Sequence, residues 1–174
     1  KKSQLNMKAD SIITYRHPRL EDGLEVYHLI KKCPPLDVNS QYYYYLICSD
    51  FKNTCVVAEY EQKIIGFISG YLKPENSKCL FIWQVAVAEK ARGRKVATNM
   101  LKWLTKQPNF SDIQSLETTI SPANKLSQNL FMGFAEENKA NCQTNSFLDV
   151  YHFDTESHAP EILYKIFPLK LNKN

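Results

Sequence analysis

Val85-Ala86-Val87-Ala88-Glu89-Lys90-Ala91-Arg92-Gly93-Arg94-Lys95-Val96-Ala97 begins as a strand, breaks at an arginine- and glycine-bearing turn, and opens into a helix. The first N–H groups of a helix have no carbonyl partner within it and lie at the positive end of its dipole, so such a turn can cradle a phosphate. A glycine-bearing turn says little by itself; the strand before it and the helix after it give it meaning. Val96, Ala97, Met100, Leu101, Trp103 and Leu104 recur at helical spacing.

Working outward, Gln114 to Ile120 is a short strand, and Ser121-Pro122 supplies an N-cap and a first-turn proline for a helix made amphipathic by Leu126, Leu130, Phe131 and Phe134. Upstream, Leu80 to Ala88 is the strand that feeds the turn. Thr54 to Tyr60 and Lys63 to Leu72 predict a hairpin, followed by a turn at Pro74-Glu75-Asn76-Ser77. Ile12 to Arg16 reads as a first strand and Leu20 to Lys32 as a helix stopped by Cys33-Pro34-Pro35. Ser40 to Phe51 reads as a second helix, carrying the run Tyr42 to Tyr45. Asn138 to Ser146 is polar and irregular, Phe147 to Phe153 has no decided state, and Glu161 to Phe167 resembles a terminal strand. The order β-α-α-β-β-β-α-β-α-β, with neither repeat nor linker, predicts one α/β domain over 12–168 with loosely ordered ends at 1–11 and 169–174.

Composition narrows the classes. The chain has 174 residues, enough for a sizeable core, with 44% hydrophobic and 23% charged residues, the balance of a soluble globular protein. Its net charge of +4 is not gathered into a basic run and no zinc-finger or basic-helix motif appears, which argues against nucleic acid and suits a small anionic ligand. Cys33, Cys48, Cys55, Cys79 and Cys142 lack metal-ligand spacing and read as buried thiols of a reducing compartment. With no apolar leader and no run near the ~18 residues of a membrane helix, the expected location is the cytoplasm, away from membranes.

Arg92-Gly93-Arg94-Lys95-Val96-Ala97 resembles the Arg/Gln-x-x-Gly-x-Gly/Ala pyrophosphate turn of the GCN5-related N-acetyltransferases, with Lys95 standing where the middle glycine would be. The element order is also that family's and covers nearly the whole chain. The resemblance implies a mixed central sheet flanked by helices and splayed between its fourth and fifth strands, with the pantetheine arm of acetyl-CoA in the gap. It implies that backbone groups of Val85 and Val87 bond that arm, that Arg92, Gly93, Arg94, Lys95, Val96 and Ala97 meet the pyrophosphate, and that Asn124 and Ser127 bond the arm from the next helix. Taken alone, Val85 and Val87 read equally as strand core, and Asn124 and Ser127 as solvated helix residues. Where many members carry a tyrosine that protonates the departing thiolate, this chain has Phe131, which has no proton to give.

Three segments are similar to a narrower family, the L-2,4-diaminobutyrate acetyltransferases of ectoine biosynthesis. They are Pro35-Leu36-Asp37-Val38-Asn39-Ser40-Gln41-Tyr42, Phe81-Ile82-Trp83-Gln84-Val85-Ala86-Val87 and Leu116-Glu117-Thr118-Thr119-Ile120-Ser121-Pro122-Ala123-Asn124. The similarity implies a homodimer that transfers acetyl from acetyl-CoA to the γ-amine of L-2,4-diaminobutyrate. Another amine or a peptide N-terminus as acceptor, or a coenzyme A-sensing module without turnover, are the alternatives.

A diamino acid asks for carboxylates to hold its amines. Glu117 interrupts an apolar strand, where a buried carboxylate is costly unless paired, and a substrate ammonium would pair it. Burial moves a carboxylate toward the range useful for a general base, so Glu117 is the expected base beside the γ-amine. Asp37, on a loop stiffened by two prolines, is a substrate ligand or a helix-entry aspartate. Trp83 is a core residue or, by the resemblance, lies against the substrate and helps hold the reacting carbonyl. Tyr42 and Tyr43 begin the tyrosine-rich helix; Tyr42 is favoured for the site, and one tyrosine of the run is expected in the core. His158 and Glu161, spaced by Ala159-Pro160, can orient substrate or pass a proton, or belong to a polar loop.

Overall fold

The computed structural model describes residues 12–154 and 158–171; the expected leader at 1–11 and residues 172–174 of the expected tail lie outside them. The elements are β1 (Thr14–Arg16), α1 (Gly23–Lys31), α2 (Gln41–Ser49), β2 (Val56–Tyr60), β3 (Lys63–Lys73), β4 (Asn76–Val87), α3 (Val96–Thr105), β5 (Ser115–Ile120), α4 (Lys125–Glu137), β6 (Asn141–Leu148) and β7 (Glu161–Phe167). The strands form one mixed seven-stranded sheet in the order β1-β2-β3-β4-β5-β7-β6, in which β4 and β5 run parallel. Among the described residues, no helix is long and apolar enough to cross a membrane. The chain divides into two compact units, one of residues up to Ser69 with Gln84–Leu104, the other of Gly70–Trp83 with Thr105 onward.

In the first unit, β2 and β3 form the expected hairpin. Its two-residue turn, Glu61-Gln62, holds both residues in the left-handed region (φ 47° and 60°), as a primed hairpin turn requires. The β2–β3 register skips Ile65, a bulge that brings Ile64 and Phe67 into one core with Val26, Ile30, Tyr44 and Ile47 of α1 and α2. Arg16 ties β1 to this unit, reaching Asp22 Oδ2 at 2.7 Å and Glu59 Oε2 at 2.9 Å.

The two helices meet closely at Gly23. A Cβ there would lie 2.8 Å from Tyr45 Cδ1 and 3.1 Å from the Tyr45 Cα, a backbone atom that cannot swing away. Gly23→Ala is therefore expected to lower stability by about 1 kcal/mol, overpacking outweighing the better helix propensity of alanine. A denaturant midpoint equal to or above the wild type's would contradict this.

In the second unit, β5 lies between β4 and β7. The parallel register runs from Cys79 opposite Ser115 to Ile82 opposite Thr118, and Thr118 Oγ1 donates to the Ile82 carbonyl at 3.0 Å. Trp83 to Val87 continue β4 beyond the last of these pairs. Phe131, Phe134 and Ala135 form the buried face of α4.

Several boundaries differ from the sequence expectation. The β3–β4 turn shrinks to Pro74-Glu75, because Asn76, Ser77 and Lys78 are strand residues whose exposed polar side chains hide the ladder. The polar segment expected to be irregular is largely strand β6: it lies at the sheet edge and pairs with β7 through its backbone, so its exposed side chains show no alternation. Helix α4 is capped by Asn124 rather than Ser121. The Asn124 side-chain oxygen accepts the Ser127 N–H at 3.1 Å, while Ser121-Pro122-Ala123 form the turn before it. The ordered chain also passes residue 168: Leu169 and Leu171 are buried, and the Leu169 N–H donates to the Gln114 carbonyl at 2.8 Å.

Candidate active site

The end of β4 is pinned where the turn begins. The Ala88 N–H donates to the carbonyl of the bulged Ile65 at 2.8 Å. Arg92 Nε reaches back to the Val87 carbonyl at 3.4 Å, which the Cys33 thiol also meets at 3.5 Å. Burial pushes that thiol above its ordinary range, with Arg92 opposing, so Cys33 is a protonated packing group rather than a nucleophile. Val85 and Val87 are half-buried, alternating with buried Gln84 and Ala86.

Beyond Arg92 the backbone coils into a cradle. Gly93 (φ 77°) and Lys95 (φ 58°) are both left-handed, and a Cβ on Gly93 would meet nothing within 4 Å. Arg94 Nη1 is buried with no hydrogen-bond partner. The first backbone bond at the head of α3 joins the Asn99 N–H to the Lys95 carbonyl at 2.9 Å, so Val96, Ala97 and Thr98 turn their N–H groups outward without helical acceptors. An orphaned guanidinium nitrogen beside a row of free N–H groups calls for an anion, and a pyrophosphate fits that donor set.

Lys95 thus keeps the backbone conformation of the glycine it replaces, at a cost of about 1 kcal/mol. Lys95→Gly is expected to raise the ligand-free melting temperature by roughly 2–4 °C for a chain of this size. A lower melting temperature would mean that the lysine side chain stabilises the turn by more than its backbone strain.

The Asp37 loop is held from behind by a buried polar chain. Gln84 Nε2 donates to the Asp37 carbonyl at 2.7 Å, Gln84 Oε1 accepts from the Tyr44 hydroxyl at 3.2 Å, and that hydroxyl accepts the Asn39 N–H at 3.3 Å. The Gln84 N–H donates to Ser69 Oγ at 3.1 Å. Asp37 itself is exposed. Tyr44 is the tyrosine of the run that enters the core; Tyr43 is half-buried with its ring edge-on to Tyr44 at 4.9 Å, and Tyr42 is 70% exposed. Burial pushes the Tyr43 hydroxyl far up, which keeps it a proton donor in hydrogen bonds. Sequence reasoning missed Gln84 and Tyr44 as site supports. The signal was present in Gln84, an amide set in the apolar run Phe81 to Val87.

In the second unit, Glu117 is 7% exposed and already paired. Lys73 Nζ lies 2.6 Å from its Oε2 and Lys165 Nζ 3.9 Å from its Oε1. The bond to Glu117 holds the Lys73 ammonium above its ordinary range. The sequence predicts a substrate ammonium as its partner; in the structure the buried carboxylate is paired with the chain's own lysine. Trp83 is 48% exposed and not a core residue. With Tyr71 and Phe81 it forms an aromatic wall, Tyr71 lying 5.1 Å from the Phe81 ring and 6.5 Å from that of Trp83.

His158 is half-buried, its ring stacked on Phe153 at 3.7 Å. Its Nδ1 lies 2.7 Å from the Ala159 carbonyl. The tautomer that donates this bond keeps the lone pair on Nε2, the arrangement of a proton acceptor. Glu161 follows as the first residue of β7 and is half-buried. Asn124 and Ser127 are joined to each other by the cap of α4, the Asn124 side-chain oxygen accepting the Ser127 N–H. Phe131 lies in the core, 1% exposed. Among the described residues, no three His, Cys, Asp or Glu side chains gather as a metal site would require.

Residues 23–134 match the acetyltransferase (GNAT) family. The chain is 43% identical over 159 residues to the L-2,4-diaminobutyric acid acetyltransferase of Methylotuvimicrobium alcaliphilum, covering 91% of this chain and 92% of that protein. It is 44% identical over 153 residues to the enzyme of the same name from Vibrio cholerae, covering 87% and 88%. Among solved structures it is similar to the diaminobutyrate acetyltransferase EctA of Paenibacillus lautus, in complex with its substrate L-2,4-diaminobutyric acid and coenzyme A. That match has a TM-score of 0.89 at 39% identity, over 91% of this chain and 96% of that one. The phosphate-ready turn, the mixed sheet with its parallel β4–β5 pair and these relationships agree: the chain belongs to the acetyltransferase (GNAT) family, within the family of L-2,4-diaminobutyric acid acetyltransferases.

Proposed function

We propose that this chain transfers acetyl from acetyl-CoA to the γ-amine of L-2,4-diaminobutyrate, giving N4-acetyl-L-2,4-diaminobutyrate for ectoine biosynthesis. The observation that carries the substrate is the match, at a TM-score of 0.89, to a protein solved with that amino acid and coenzyme A. Transfer is direct, within a ternary complex, in a cytoplasmic homodimer that uses no metal.

In this reading Arg92 to Ala97 hold the pyrophosphate, with the orphaned Arg94 nitrogen as a donor, and Val85, Val87, Asn124 and Ser127 bond the pantetheine arm. Asp37, Tyr42, Tyr43, Glu117 and Glu161 hold the diamino acid, and Trp83 packs against it. Backbone N–H groups near Trp83 to Val85 polarise the thioester carbonyl. His158 Nε2 takes the proton that the γ-ammonium must lose before it attacks. The thiolate needs no tyrosine to leave, since a thiol of pKa near ~8.5 is a tolerable leaving group.

The test is thiol release from acetyl-CoA by the purified protein against a panel of amines, with the product identified by mass spectrometry. The proposal expects diaminobutyrate to give the highest kcat/KM and acetylation at the γ-nitrogen. A higher value for another diamine or a peptide N-terminus would reassign the substrate, and tight acetyl-CoA binding without turnover of any amine would make the chain a sensing module. Sedimentation at micromolar concentration tests the dimer.

A further inference from the structure

The face that carries Glu117 holds one more positive charge than its ion pair needs. Phe81, Glu117, Lys165 and Gln143 are register partners across β4, β5, β7 and β6, so their side chains rise from the same side of the sheet. Lys73 reaches the row from the end of β3 and bonds Glu117 at 2.6 Å. Lys165 brings its Nζ back over β5 but stops 3.9 Å from Glu117 Oε1, beyond hydrogen-bond range. The centroid of the Phe167 ring lies 5.5 Å from the same Nζ. Among the described residues, two ammonium groups around one carboxylate leave a surplus charge, and the Lys165 side chain is 44% exposed.

We propose that Lys165 is a specificity-determining residue that binds the α-carboxylate of the amino-acid substrate, while Lys73 neutralises Glu117. The proposal rests on the diaminobutyrate reading above. Of the groups on that substrate, only the carboxylate seeks a cation; its amines seek carboxylates. The scale also fits. Trp83 lies two residues beyond Phe81 on β4, about 6–7 Å further along the strand. The carboxylate and γ-nitrogen of an extended diaminobutyrate are four bonds apart, about 5–6 Å. A carboxylate held on the Glu117 row thus places the γ-amine level with Trp83, where β4 leaves its ladder with β5. The aromatic wall of Tyr71, Phe81 and Trp83 lowers the local dielectric and strengthens the contact.

The test compares diaminobutyrate with 1,3-diaminopropane, which has the same amine spacing and no carboxylate. In Lys165→Gln the ratio of kcat/KM for diaminobutyrate over diaminopropane is expected to fall roughly 10- to 100-fold, the weight of a charge-assisted bond, and Lys165→Arg to keep it within a few-fold. The ratio does not depend on how much of the variant is folded, so a stability loss cannot imitate the result. An unchanged ratio in Lys165→Gln overturns the proposal and leaves the proposed reaction standing. A raised KM for acetyl-CoA with an unchanged ratio also overturns it, by assigning the cation to the cosubstrate. Failure of the wild-type protein to acetylate diaminobutyrate overturns both.

Discussion

His158→Gln is expected to lower kcat about 10²-fold or more with a smaller change in KM. An amine with a pKa near lysine's ~10.4 is almost wholly protonated at neutral pH, and a positioned base contributes at least that factor. The imidazole is fixed by its bond to the Ala159 carbonyl and by stacking on Phe153. Glu117→Gln is expected to keep kcat within about 10-fold and to raise KM for diaminobutyrate instead, because Lys73 already holds that carboxylate at 2.6 Å. Steady-state kinetics of both variants over a pH series decide the matter. Near-normal kcat in His158→Gln with a collapse in Glu117→Gln would return the base to Glu117.

Lys73→Met should lower stability by about 2 kcal/mol, or roughly 4–8 °C in melting temperature. Glu117 is 7% exposed, and removing its short partner leaves a buried carboxylate that, among the described residues, has only the more distant Lys165 to answer it. The cost stays below that of a fully buried pair because the Lys73 side chain is itself 39% exposed. Adding Glu117→Gln to Lys73→Met should recover most of the loss, since the amide carries no charge to strand. If the two substitutions destabilise additively, the ion pair is not what makes Lys73 matter.

Much of this architecture was legible in the sequence because its informative residues act locally. The strand–turn–helix from Val85 to Ala97, the Glu61-Gln62 hairpin and the prolines after α1 each declare themselves within a few positions. The limits were also physical. Strand β6 stayed hidden because an edge strand can be held by its backbone alone, leaving side chains without a pattern. The cap of α4 was misplaced by three residues because Ser121-Pro122 imitates a start signal that Asn124 provides. At the candidate site the residue types were readable but their partners were not. Nothing in the spacing of Lys73, Glu117 and Lys165 announces that pairing across three strands brings them together, so the carboxylate looked as though it awaited a ligand.

The buried chain through Tyr44 and Gln84 grips position 37 by its carbonyl, a group common to all amino acids. Where the loop stands and what it offers there are therefore set by different atoms. In the proposed reading, a change of side chain at Asp37 alters the charge offered to the amine and leaves the address of that charge untouched, whereas a change at Gln84 moves the address itself. Redirecting such a scaffold to a new amine begins at residue 37, with the anchor behind it kept as a fixed mount.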